Sequence, residues 1–394
     1  MTDPSVWRVH GPPLRAGGTG PLAGRRVAVK DVLAVRGQLL GAGNPTWLAA
    51  QEPRVADAAA VAALVGAGAE LTGIAQTDEF AYSLAGTNAH HGTPPNPAAP
   101  GRISGGSTSG PASAVALGEA DIGLGTDTAG SIRVPASYQG LYGLRTTHGA
   151  LSTAGVLPLA PSFDAVGWLA RDADLLGQVA EVVLPGARRA PLTRGVVVPA
   201  LVDLAEPAVA AAFSGAVAGL GLAAVDRADL DAEVLATWAV AFRTVQGHEA
   251  WAAHGAWVDA HPGALGPDVA ARFAVAARVD DASCAAARAT LADACVRLRA
   301  LLAPGTALLL PAASSPAPPR SAPPGAPEIE RARAATLGLT CLAGVAGAPA
   351  VSLPLLRVDG APVGLSVVAA PGADRDLTDL AATISRPPRV SSAR

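Results

Sequence analysis

The sequence predicts an α/β fold: one large domain in which a mixed, twisted β-sheet is covered by helices on both faces. Three observations predict it. Apolar segments of strand length, at 25–29, 71–75, 121–124, 194–199, 307–310, 350–354 and 362–369, alternate with segments of helical periodicity. Half of the 394 residues are apolar, biased to Ala, Val, Leu and Gly, which is enough for a sizeable core of small side chains. No internal repeat interrupts the alternation, so a single domain over 1–385 accommodates it, with 386–394 expected to be a disordered tail.

Taken in order, residues 1–24 are rich in Gly and Pro and read as a surface segment. The short run Arg25–Val29, apolar from Val27, reads as a buried strand that delivers Lys30 and Asp31 at its end, a common place for chemistry in α/β folds. Residues 54–68 carry helical periodicity and stop at Gly, as a C-cap would. Leu71–Ala75 reads as the next strand. Thr77-Asp78-Glu79 reads as the N-cap and first turn of a short helix through Ala85, followed by a long loop at 86–103. After Gly110 a small-residue helix is predicted, then a strand at 121–124, then a helix near 131–137 limited by Pro135. Residues 141–170 read as strands and turns, and 172–183 as a helix. From 200 to 302 the pattern is largely helical, with one long amphipathic segment over 267–302. The Pro- and Ser-rich stretch 311–327 reads as a flexible linker, the alternative being a loop over the site.

Composition excludes several classes. A net charge of −3 with no basic stripe argues against nucleic acid and acidic membranes as partners. No run of about 18 apolar residues predicts a membrane span, and the N-terminus lacks a basic-then-apolar leader, so a soluble cytoplasmic protein is expected. Cys284, Cys295 and Cys341 are an odd number in apolar contexts and read as free thiols, not as a disulfide frame or metal site.

The chemistry concentrates in 104–133, SGGSTSGPASAVALGEADIGLGTDTAGSIR, and in one residue upstream. Of 29 basic residues, only Lys30 is a lysine. An ammonium can lose its proton when desolvated, whereas a guanidinium effectively cannot, so a lone lysine is the first candidate for a proton acceptor. The Gly-Gly-Ser-Thr-Ser-Gly cluster lacks the Gly-Lys-Ser/Thr of a phosphate-binding loop, and no dinucleotide fingerprint is present. Ser131 sits in Ala-Gly-Ser-Ile-Arg instead of Gly-x-Ser-x-Gly, and no histidine falls in either cluster. His90, His91 and His148 read as loop or pocket-wall residues. The alternative is a hydroxyl activated without imidazole: a neutral amine at Lys30, with Ser107 and Ser131 as the hydroxyls. Glycines before Ser131 would also leave backbone N–H groups to face an oxyanion, worth about 3–4 kcal/mol per donor.

These residues resemble the amidase signature family, serine hydrolases with a Ser-cisSer-Lys triad. The resemblance is carried by Gly20–Gly24 with Val29-Lys30-Asp31, by Asp78-Glu79-Phe80-Ala81, Asn96-Pro97 and all of 104–145. Pro161–Asp164 through Arg171-Asp172, Ala343–Pro349 and Pro362–Leu365 extend it, while 187–330 shows no clear match. It implies the amidase signature fold, and an amidase that cleaves a small carboxylic amide to acid and ammonia or amine through a Ser131 acyl-enzyme. Lys30 resembles the family's base. Ser107, 24 positions before Ser131, resembles its bridging serine in a cis peptide. The backbone of Thr128, Ala129, Gly130 and Ser131 would form the oxyanion hole, with Asp127 and Arg133 bracing the loop. Ala129 stands where the family usually has a second glycine. Tyr82 falls where the family lines its acyl pocket, with a core or helix-face aromatic as a reading of almost equal weight. No cofactor and no metal is implied.

Ser104, Ser109 and Ser113 read as turn and cap residues. Residues 76–172 look most like short stand-alone amidases acting on aryl-acetamides such as indole-3-acetamide. Two alternatives stay open: an ammonia-supplying amidotransferase subunit, which would need a partner, and a non-catalytic amidase-like binding module. A small-molecule amide and a second copy of the chain, as a homodimer, are the partners expected.

Overall fold

The fold was analysed in a computed structural model, which describes residues 2–186 and 188–385. Its centre is an eleven-stranded sheet. In chain order the strands are β1 (Trp7–Arg15), β2 (Arg26–Lys30), β3 (Glu70–Ala75), β4 (Ile122–Asp127), β5 (Tyr142–Arg145) and β6 (Ala165–Ala170). They continue with β7 (Arg194–Val197), β8 (Ala224–Arg227), β9 (Thr306–Pro311), β10 (Ala350–Val358) and β11 (Ala361–Val368). The spatial order is β1-β3-β2-β4-β6-β5-β10-β11-β9-β7-β8. β2 runs parallel to both β3 and β4, and β7 parallel to both β8 and β9, whereas the strands between are antiparallel. The sheet is therefore mixed, as expected.

Helices cover both faces, and the strands show it residue by residue. In β9, Leu309 packs in one large apolar cluster and Leu308 and Leu310 in the other, the period-2 alternation of a strand buried on both sides. The first cluster joins the sheet to helices Ala59–Gly66, Ala173–Val183, Pro207–Ala218 and Asp374–Ser385. The second joins it to the long helices Ala232–Ala260, Asp281–Leu301 and Pro327–Ala346. Trp168 of β6 is wholly buried in the first, where truncation to Ala would cost about 3–5 kcal/mol.

Several expectations need correction. Part of the N-terminal surface segment is strand β1, paired antiparallel to β3 at the sheet edge. Its Gly11-Pro12-Pro13 falls between two stretches of pairing, and an edge strand tolerates proline because one row of its backbone groups has no strand to bond. The helix expected over 77–85 is only one 3₁₀ turn, Glu79–Ala81, with Phe80 at φ 50° and Ala81 at φ 57°. The Asp78 carboxylate does not cap it and instead accepts the Gly86 N–H at 2.9 Å. The helix predicted over 54–68 is confined to Ala59–Gly66. The long helix over 267–302 is two, Pro267–Ala276 and Asp281–Leu301, the second capped by Asp280, which accepts from Ser283 N at 2.7 Å.

The stretch 311–327 is not a flexible linker. Ser314 and Ser315 are buried, Ser314 N donates to Thr336 Oγ1 at 3.0 Å, and Ile103 N donates to the Pro318 carbonyl at 2.9 Å. The expected tail at 386–394 lies outside the described residues. Cys284 and Cys341 are buried free thiols, and Cys295 is half-buried. Among the described residues no helix is long and apolar enough to cross a membrane.

Candidate active site

Three neighbouring segments build the site. β2 ends at Lys30, the turn after β4 carries Ser131, and Ser107 lies just before the helix Ser109–Ala116. Because β2 and β4 are adjacent parallel strands, their C-terminal ends open on the same edge of the sheet, where α/β folds collect their chemistry. The Gly106–Ser107 peptide is cis, as the resemblance implied.

Lys30 is fully buried. Its Nζ lies 2.8 Å from Ser107 Oγ and 3.0 Å from Thr126 Oγ1. Burial, which disfavours the ammonium, pushes its pKa down to about 7, although Asp78, Asp127 and Asp164 pull the other way. The amine is thus held near the balance point of its two protonation states at neutral pH.

Ser107 is locked in place on both sides. Its carbonyl accepts the Thr77 hydroxyl at 2.8 Å, and the next residue, Thr108, donates its N–H to the Ser131 carbonyl at 3.2 Å. A Cβ at Gly106 would stand 2.6 Å from Gly86 N, so only glycine permits this approach. Among the described residues no protein partner binds the Ser131 hydroxyl, and Ser131 lines a narrow cleft of about 20 Å³, room for a single water. Tyr82, Thr128, Ala129 and Leu159 line the same cleft, and no histidine does. His90 instead pairs with buried Glu79 at 2.8 Å, and His148 Nδ1 lies 3.1 Å from the Asp164 carbonyl.

The turn before Ser131 is shaped by a buried ion cluster. Asp127 accepts the N–H groups of Gly130 (2.9 Å) and Ile132 (3.1 Å), and Arg133 meets it through Nη2 at 2.8 Å and Nε at 3.0 Å. Arg145 adds a second guanidinium and also donates to the Asp127 backbone carbonyl. Burial works to raise the Asp127 carboxyl, but Arg133, followed by Arg145, outweighs it and holds the group well below the usual carboxylate range. A buried carboxylate facing two buried guanidiniums fixes the loop's shape better than any single bond could.

Gly130 takes φ 124°, and a Cβ there would crowd Thr340. Ala129 needs no positive φ, so its side chain is accommodated, and its carbonyl accepts the Thr340 hydroxyl. The Thr128 hydroxyl is tied to Asp164 at 2.5 Å.

A family model for amidases matches residues 14–221. Amidase 1 of Arabidopsis thaliana is 36% identical over 392 residues, 91% of this chain and 92% of that protein. The chain belongs to the amidase family. An indoleacetamide hydrolase of Pseudomonas savastanoi is 40% identical over 174 residues, covering 44% of this chain and 38% of that one. A solved amidase structure superposes with a TM-score of 0.82 at 30% identity, covering 92% of this amidase and 84% of the other chain. The protein is accordingly an amide-hydrolysing enzyme by family.

The structure brings Lys30, Ser107, Ser131, Asp127, Arg133 and the 128–130 backbone to one place, with Tyr82 on the wall. Sequence reasoning missed Thr126, Arg145 and Thr340, and also Gln246 and Arg333, which line the Ser131 cleft. Thr126 could have been found from its place in the motif. Gln246 and Arg333 come from helices in stretches where no motif was legible.

Proposed function

We propose that this amidase hydrolyses a small carboxylic amide through an acyl-enzyme on Ser131. Neutral Lys30 offers its lone pair to the Ser107 O–H while one of its N–H bonds points to Thr126. Ser107 passes its proton to Lys30 as it takes the Ser131 proton, and Ser131 Oγ attacks the amide carbonyl. The Gly130 N–H is already given to Asp127, so the oxyanion is received by the N–H groups of Thr128, Ala129 and Ser131, while Gly130 supplies the bend. The Lys30 proton returns through Ser107 to the departing nitrogen, which leaves as ammonia or amine. Water, deprotonated by the same relay, then cleaves the ester and releases the acid.

The observation that carries this reading is the fully buried lysine 2.8 Å from the Ser107 hydroxyl, with a pKa brought down to about 7 so that the neutral amine is accessible at neutral pH. Similarity to an indoleacetamide hydrolase and an outer cavity of about 670 Å³, walled in part by Val240, Val275 and Val279, favour aryl-acetamides as substrates.

The test is ammonia release from phenylacetamide and indole-3-acetamide by the purified chain, together with fluorophosphonate labelling followed by peptide mapping. Label on Ser131, and loss of both label and turnover in Ser131→Ala, are expected. Wild-type turnover by Ser131→Ala would refute the acyl-enzyme. Turnover by the chain alone separates a free-standing hydrolase from a partner-dependent amidotransferase subunit and from a binding module.

A further inference from the structure

The Ser131 cleft and the outer cavity share three residues: Tyr82, Gln246 and Arg333. They form the neck between the reacting centre and a chamber of about 670 Å³. All three carry polar side chains with hydrogen-bonding capacity left over. Gln246 is buried, yet among the described residues its side-chain amide has no protein partner, and the same holds for the Tyr82 hydroxyl. Arg333 spends only Nε, which donates to Glu330 Oε2 at 2.8 Å, and both of its Nη groups are left for the cavity.

The charges around the neck do not cancel. Arg243, Arg272 and Arg333 face Asp268 and Glu330, leaving one positive charge in excess. Both acids are already engaged, because Arg272 bonds Asp268 at 3.0 Å and Glu330 at 2.6 Å, and Glu330 is shared with Arg333. Burial, followed by the neighbouring Arg272, lowers the Arg333 pKa, although Glu330 pulls the other way. A half-buried arginine with an open fork matches a carboxylate bidentately and suits little else, since a neutral group there would leave its donors unpaired.

We propose that the neck is an anion subsite, and that the preferred substrates are amides carrying a carboxylate close to the scissile carbonyl, gripped by Arg333 with Gln246 and Tyr82 as additional donors. The proposal rests on the amide-hydrolase reading above and narrows it. The aryl or alkyl body of the substrate lies in the chamber, and its carboxylate, not its apolar bulk, sets specificity.

The experiment compares kcat/KM for 2-carboxyphenylacetamide against phenylacetamide, and for succinamate against butyramide. At least one carboxylate should exceed its neutral partner by about 10-fold or more, the size of a well-placed charge-assisted pair. Arg333→Gln should cut that ratio at least about 10-fold, and Arg333→Lys should restore part of it. Gln246→Glu, which sets a like charge in the neck, should lower it as well, and this variant serves if Arg333→Gln does not fold. The wild-type preference should also shrink as sodium chloride is raised. Calorimetric binding of the same pairs to Ser131→Ala reads the subsite without turnover. Tighter binding of the carboxylates to Ser131→Ala, with no hydrolysis of any of these amides by the unsubstituted chain, would uphold the subsite while refuting the reaction. Hydrolysis of neutral amides with a carboxylate ratio at or below one, or a ratio that Arg333→Gln leaves unmoved, would overturn the subsite and leave the hydrolase standing.

Discussion

Lys30→Met should abolish turnover and yet stabilise the fold at neutral pH. Lys30 is fully buried, and its pKa falls from 10.5 to about 7 on folding. Between those values the unfolded chain binds a proton that the native chain does not, so native stability rises with pH across that window. The cost of holding Lys30 is complete below pH 7, fades as pH climbs, and is gone above 10.5. The gap of roughly 3.5 units corresponds to at most about 5 kcal/mol at pH 7, taking about 1.4 kcal/mol per unit. Methionine has a similar volume and no charge to bury, but it strands the hydroxyls of Ser107 and Thr126, which costs about 1–3 kcal/mol. The net expectation is a gain of about 2 kcal/mol at pH 7 that declines steadily towards pH 10. Urea unfolding of both proteins at pH 7, 8.5 and 10 measures it, because titrations elsewhere cancel in the difference. A variant less stable than wild type at pH 7, or a stability difference equal at all three pH values, would refute the claim that this amine is held against its charge.

The remaining predictions concern the rate and the braces. The acid limb of kcat/KM should rise with unit slope through about pH 7, as Lys30 loses its proton, and a profile flat from pH 5.5 to 8 would exclude that base. Asp127→Asn leaves Arg133 and Arg145 buried without their counter-ion, so unfolding free energy should fall by about 3–5 kcal/mol in urea titrations, with turnover lost in the same variant. Gly106→Ala places a methyl 2.6 Å from Gly86 N and 2.7 Å from Asp78 Oδ1, which must displace Ser107, and kcat should drop about 100-fold in steady-state assays.

What could be read from the residues was the part in which chemistry and chain order coincide. A solitary lysine at a strand end and two serines among glycines led to Lys30, Ser107 and Ser131, and the alternating apolar segments led to a mixed sheet with helices on both sides. Elements failed where tertiary contacts overrode local preference. Glu79 looks like a helix N-terminus, but it is buried against Asn44, His90 and the Gly266 N–H, and this anchoring replaces the helix with a turn. The proline-rich 311–327 stretch looks unstructured because its hydrogen bonds run to Ile103 and Thr336, partners that composition cannot reveal. Thr340 was invisible for the same reason, meeting Ala129 across 211 positions of sequence, whereas Arg145 lay within the motif with nothing in the sequence to mark its buried pairing with Asp127.

The residues proposed to react all lie before residue 132, whereas the chamber outside the neck is walled by residues from 240 to 279 and from 324 to 330. The proposed hydrolytic machinery and the walls around the substrate's body are therefore written in separate stretches of the polypeptide. Exchanging the chamber-facing residues of the helices Ala232–Ala260 and Pro267–Ala276, Gln246 excepted, would reshape the room for the substrate's body while the neck and the residues around Ser131 stayed in place, so divergence in such a chain would gather in its second half.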